Sequence, residues 1–190
     1  SAFDVVATLR VLADHDAIDA DLISAQGHSR GGSAVLTAAV RSFAAPIVGD
    51  GLALAGVYAV YPWCGHQFAR PDVGTTRVRA IVGERDDWLS VQQVQAQVQA
   101  IGLVGGDASV RVVGGAWHSF DRSEELHDMP EASVAPGAPT TYIDGDGAMI
   151  DPRTGRPDAS IGDLDMFMAA IDAGFGRWGA HIGSIGDQPE

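Results

Sequence analysis

Apolar positions along the chain switch repeatedly between helical and strand-like spacing. Val5, Leu9 and Leu12, with Val6 and Ala13 beside them, predict an amphipathic helix over about residues 2–14. Leu22-Ile23-Ser24-Ala25 is a short apolar run of strand type, and Ser33–Val40 suits a helix that Phe43-Ala44-Ala45-Pro46 brings to an end. Ala53–Tyr61 is almost continuously apolar, as expected of a strand buried on both faces of a parallel sheet, and Pro62 stops it. Val78–Val82 is the next strand, closed by Gly83. Val91, Val94, Val98 and Ile101 then recur among five glutamines, predicting an amphipathic helix with a polar outer face. Val110–Val113 is a further short strand, ended by Gly114-Gly115.

Strands and helices in alternation predict a right-handed, parallel α/β sheet flanked by helices. The pattern weakens over about residues 124–160, where proline, glycine and aspartate dominate from Met129 to Pro157. Within it, Thr140–Ile143 and Ala148–Ile150 read as two extended pieces joined by a Gly-Asp turn. Asp144, Asp146 and Asp151 are spaced like part of a calcium loop, but the third ligand position and the distal glutamate are missing. Asp163 is the expected N-cap of a last helix with Leu164, Phe167, Met168 and Ile171 on one face, ended by Gly174 and Gly176. The tail after Gly183 reads as loose.

With 190 residues, 46% hydrophobic and 19% charged, the chain is expected to form one globular domain over 1–190. Its net charge of −13 repels phosphate backbones and anionic lipid, so neither nucleic acid nor a membrane surface is an expected partner. No apolar run reaches the ~18 residues of a membrane span. The single cysteine, Cys64, allows no intrachain disulfide. That is compatible with the cytoplasm and with export alike, the former slightly favoured. Ser1–Val6 already reads as the inside of a helix, so the lack of a visible leader carries no information.

Chemistry concentrates at three strand ends. Gly27-His28-Ser29-Arg30-Gly31 matches the G-x-S-x-G nucleophile elbow and lies between a predicted strand and a predicted helix, as that motif requires. Asp86 and Asp87 follow the strand at Val78, and His118 follows the strand at Val110. A nucleophilic serine needs a base, and the base needs an orienting acid. The order Ser, Asp, His is that of one hydrolase fold and differs from the two common protease orders. His28 reads as structural, because a residue inside the elbow points away from the hydroxyl. His66 reads either as pocket-lining or as exposed. Asp14-His15-Asp16 and Asp19-Ala20-Asp21 read as loop charge rather than a metal site. Trp63, Trp88, Trp117 and Phe120 flank the chemical blocks and suit either an apolar acyl or aryl site or the core. Cys64 reads as a small pocket or core residue rather than a reactive thiol.

From Ser1 to about Arg122 the sequence resembles the α/β-hydrolase fold and, within it, the dienelactone hydrolase family. The residues that carry the likeness are Gly27–Gly32, Gly83-Glu84-Arg85-Asp86-Asp87-Trp88 and Gly115-Ala116-Trp117-His118-Ser119-Phe120-Asp121. Tyr61-Pro62-Trp63-Cys64 is similar to a pocket-lining stretch of that family. The resemblance implies Ser29 as nucleophile, His118 as base and Asp86, preferred over Asp87, as acid. It gives the Arg30 backbone N–H as one oxyanion donor and Trp63 and Cys64 as substrate-binding residues, to which Trp88 and Phe120 are added as flanking aromatics, with no cofactor or metal. It implies further that the elbow strand, normally the fifth, has its earlier strands and a second oxyanion donor before Ser1. The chain is therefore expected to be an incomplete or processed form, completed by a missing segment or a second chain.

The expected activity is hydrolysis of a small carboxylic ester or lactone through an acyl-enzyme. The alternatives are a peptidase or acyltransferase of the same fold, for which the same three residues would serve. A non-catalytic binding protein is the alternative outside enzymes, and it has no need of all three groups.

Overall fold

The computed structural model describes residues 1–184. The first half of the chain forms α1 (Ala2–Ala13), β1 (Ser24–His28), α2 (Arg30–Ala39), α3 (Arg41–Val48), β2 (Gly56–Val60), β3 (His66–Phe68) and β4 (Arg77–Gly83). The second half forms α4 (Val91–Leu103), β5 (Ala108–Val113), β6 (His127–Val134), β7 (Thr141–Ile143), β8 (Met149–Asp151), β9 (Arg156–Asp158), α5 (Asp163–Ala170) and β10 (Arg177–Ile182). The central sheet has the order β1-β2-β4-β5, and all three pairings are parallel. Two smaller sheets follow: an antiparallel β10-β6 pair, and β3-β7-β8-β9.

Helices cover the central sheet because their apolar faces have nowhere else to go. Val6 and Leu9 of α1, Val35 and Leu36 of α2, and Val94, Val98 and Ile101 of α4 are buried with Val57, Ala59, Val78, Ala80 and Val82 of the sheet. Each Val, Leu or Ile side chain among them contributes roughly 1.5–3 kcal/mol on burial.

Several elements differ from the sequence-based expectation. The edge strand begins at Ser24 rather than Leu22, which lies in a 3-10 turn over Ala20–Leu22 and is 73% exposed. Asp19 captures this turn by accepting a hydrogen bond from the Asp21 N–H. β2 is shorter than the apolar run around it, and Tyr58 on it is 40% exposed. The chain does not lose regular structure at Phe43–Pro46. Extended backbone at Val40 bends it by 74°, and α3 continues through Pro46 to Val48 because Phe43, Ala44 and Ile47 pack on the core. Gly49, with φ +86°, ends it.

On α4 the glutamines do not all face outward: Gln93 and Gln97 are buried with the valines. The segment expected to be irregular holds β6 to β9, and the expected β7–β8 turn is fastened by Asp144 Oδ1, which accepts from Asp146 and Ala148 N–H. The last helix is capped at Gly162, whose N–H donates to Asp165 Oδ2, rather than at Asp163. After a wide turn with Gly174 at φ +88°, the chain forms β10, an element its sequence did not announce. The tail expected to be loose lies outside the described residues from position 185 onward, while Ser184 N–H donates to the Glu124 carbonyl.

One contact decides the geometry where β1 turns into α2. A Cβ on Gly27 would stand 2.1 Å from the Gly31 carbonyl oxygen, and one on Gly32 would stand 3.1 Å from both Pro62 and Val60. Gly31 itself meets nothing within 4 Å. The approach of strand end and helix start therefore depends on Gly27, with Gly32 tight and Gly31 free. Gly27→Ala is expected to lower unfolding free energy by more than about 3 kcal/mol, and Gly31→Ala by less than about 1 kcal/mol. Urea unfolding of the two variants checks this; equal losses would contradict the assignment.

Candidate active site

Ser29 sits at the turn that Gly27 permits. Its backbone is at φ 52° and ψ −119°, a region costly to any residue with a Cβ, and its N–H is held by the Val60 carbonyl at 2.9 Å. Forced there, the side chain projects from the strand end just before the first residue of α2.

His118 and Asp86 come from the loops after β5 and β4, and those loops are stitched together. A Cβ on Gly83 would lie 2.4 Å from the Ala116 carbonyl oxygen, so only glycine lets them approach so closely. Arg85 N–H donates to that same carbonyl, and Glu84 Oε2 accepts from the Gly115 N–H. His118 Nδ1 then lies 2.8 Å from Asp86 Oδ2, and Nε2 lies 3.1 Å from Ser29 Oγ. A carboxylate can only accept, so Nδ1 carries the proton and Nε2 is free to accept from the serine hydroxyl. The second Asp86 oxygen accepts from the Trp88 and Leu89 N–H groups. The pair is nearly sealed, with 4% of the His118 side chain and none of the Asp86 side chain exposed.

Asp87 turns the other way. It accepts from the His181 N–H and ring Nδ1 at 2.9 and 2.7 Å, while Arg177 donates to its backbone carbonyl. His181 Nε2 reaches Asp128 on β6 at 3.0 Å, and its backbone carbonyl accepts from Trp88 Nε1. β10 is thus tied to the two residues that follow Asp86, and the Gly183 N–H donates to the His118 carbonyl. The Trp117 ring lies 4.2 Å from the His181 ring, outside the chemistry of His118.

The His118 ring lies between two aromatics, with Trp88 stacked at 5.3 Å and the edge of Tyr61 at 4.7 Å. Tyr61 is itself held at φ 38°, and its hydroxyl donates to Asp121 Oδ1 at 2.7 Å. Burial, then the Asp121 carboxylate, pushes its phenol up to about 12. The other Asp121 oxygen pairs with His28 Nε2 at 3.2 Å, which keeps His28 on the flank of the site. Neither the Tyr61–Asp121–His28 chain nor the Asp87–His181 pair was legible in the sequence, because each joins residues at least sixty positions apart through side chains with no spacing signature, or, in the His28–Asp121 link, a residue of the elbow itself.

Ser29 and His118 open on a cleft of about 520 Å³ lined by Trp63, Trp88, Leu89, Val134, Leu164 and Phe167 among others. Trp63 and Trp88, two of the residues expected to meet substrate, are on this cleft wall. Cys64 lines a neighbouring cavity instead of this cleft, and complete burial pushes its thiol up to about 12, well away from a reactive thiolate. Phe120 packs edge-on against Tyr61 at 5.7 Å and against the core, on the side of the aromatic cluster around Tyr61. Arg30 begins α2, so its backbone N–H is one of the unpaired donors at a helix start, next to Ser29. His66 lies on the cleft wall, bonded to Thr141 Oγ1 and the Asp163 carbonyl, and burial lowers its pKa. Of the residues that complete the cleft, Val134 of β6 comes from the region whose sequence showed no regular pattern, whereas Leu164 and Phe167 lie on the last helix that the sequence predicts.

No protein-family model matches the chain, and no curated protein matches it. Solved structures do. An esterase of the planctomycete Thermogutta terrifontis, with propionate bound, aligns at a TM-score of 0.51 and 18% identity, over 63% of this chain and 55% of that one. An esterase/lipase from an uncultured bacterium aligns at 0.52 and 17%, over 63% and 52%. An α/β-hydrolase enzyme from a deep-sea metagenome library aligns at 0.50 and 18%, over 65% and 51%. The chain thus spans about half the length of the solved structures it matches. Its mostly parallel sheet, flanked by helices and carrying Ser29 at a strand-to-helix turn, has the α/β-hydrolase fold.

Proposed function

We propose that the chain is a serine hydrolase of the dienelactone-hydrolase kind, cleaving carboxylic esters or lactones through an acyl-enzyme. The observation that carries this reading is the continuous hydrogen-bonded series Ser29–His118–Asp86, assembled from three separate strand ends. In this mechanism Ser29 Oγ attacks the acyl carbon while its proton passes to His118 Nε2. The resulting imidazolium is stabilised by Asp86 at Nδ1 and by the face of Trp88. The tetrahedral oxyanion is met by the Arg30 N–H at the positive end of α2. His118 then returns the proton to the leaving alcohol oxygen, the C–O bond breaks, and water repeats the sequence in reverse to release the acid.

The largely apolar cleft favours an uncharged alkyl or aryl ester, and the net charge of −13 disfavours an anionic one. The esterases named above share the fold, which adds support without fixing the substrate.

Initial-rate kinetics on p-nitrophenyl acetate test the roles. Ser29→Ala is expected to lower kcat/KM by roughly a thousandfold or more, and Asp86→Asn by roughly a thousand- to ten-thousandfold. Asp87→Asn should fall far less, because that carboxylate holds β10 and does not touch His118. Equal losses for Asp86→Asn and Asp87→Asn would contradict the assignment.

A further inference from the structure

Three buried glutamines face the interior between β3 and α4: Gln67, Gln93 and Gln97, at 3%, 8% and 5% exposure. Two are satisfied. Gln67 Nε2 donates to the Cys64 and Gln93 carbonyls, and Gln93 Nε2 donates to the Ala138 carbonyl. The Gln97 carboxamide has no hydrogen-bonding partner among the described residues and opens onto a cavity of about 590 Å³. Its amide atoms are not sealed off, so solvent in the cavity meets them, and a bound group that displaces this solvent must supply an oxygen or N–H of its own or leave the amide unpaired.

That cavity adjoins the Ser29 cleft: Arg30, Trp63, His66 and Asp163 line both. Its remaining walls are largely apolar, with Leu36, Val40, Phe68, Ile143 and Met149. The chemistry of Ser29 decides which half of a substrate enters it. The leaving alcohol takes its proton from His118, so it lies in the cleft with His118, Trp88 and Leu89. The acyl half then extends past Arg30 and Gly31, away from His118, toward the cavity that Gly31 also lines.

We propose that this cavity is the acyl subsite, and that it takes an acyl chain carrying a carbonyl or hydroxyl oxygen toward its far end, bonded by Gln97. This rests on the ester-hydrolase reading above. Gln97 is then a specificity-determining residue. A wall with one buried amide discriminates against a plain acyl chain, which would strand that amide, more strongly than an all-apolar wall discriminates by size.

The test pairs keto-acyl p-nitrophenyl esters with plain acyl esters of matched length, from pentanoate to nonanoate, on the wild-type chain, Gln97→Leu and Gln97→Met. The readout is the keto-to-plain ratio of kcat/KM, in which any general loss from misfolding cancels. Calorimetric binding of the corresponding free acids gives the same ratio without turnover. The best-fitting keto chain is expected to be preferred roughly tenfold by the wild type, and the ratio to fall to about one in both variants. Turnover that depends on Ser29 with no keto preference at any length would overturn the subsite and leave the hydrolase reading standing. Absent turnover with the ratio preserved in acid binding would overturn the hydrolase reading and support the Gln97 subsite as a binding cavity.

Discussion

The Asp86–His118 hydrogen bond is the contact on which the rest of the site depends. A carboxylate with no exposed surface is strongly unfavourable unless every lone pair finds a donor. Three donors do the work here: His118 Nδ1 and the Trp88 and Leu89 N–H groups. Satisfying them fixes the loop after β4 against the loop after β5, and Gly83 permits the approach. Once His118 is fixed by its Nδ1, its Nε2 has one direction left, and Ser29 stands 3.1 Å along it.

The last part of the chain serves the same contact. β10 lies along the backbone of His118, anchored by Asp87 through His181 and by Trp88 through its indole N–H. Ala132, Val134 and Ala180 form a small apolar cluster against Trp88, whose ring stacks on His118. Sealing the buried pair and building the cleft wall are therefore one construction, because β6 supplies Val134 to both. Asp86 and Asp87 are adjacent in sequence yet face opposite tasks, one toward His118 and the other toward β10.

Local signals made much of this legible in advance. The elbow announces itself through glycine spacing, α4 through its valine period, and the central strands through short apolar runs between turn residues. Asp86 and His118 were recognisable because each follows a strand end. What stayed hidden depends on pairing at long range. The strands β7 to β9 have only three residues each, and β6 and β10 lie near the surface with few positions such as Ala132, Val134 and Ala180 buried, so none of them alternates clearly. Phe43–Pro46 continued as helix since core packing outweighed a proline near a helix end. Gln97 misled for a different reason: a glutamine on a helix reads as solvent-facing unless the fold happens to place a cavity beneath it.

The claim at the centre is that the strained turn and the buried Asp86–His118 pair together make Ser29 an activated nucleophile. Labelling of the folded chain with an active-site fluorophosphonate, followed by mass mapping of the modified peptide, tests it most directly. The account predicts one phosphonylated residue, Ser29, with the label lost in His118→Ala although its hydroxyl is still present. A folded chain that takes no label, or takes it at another serine, would contradict the account.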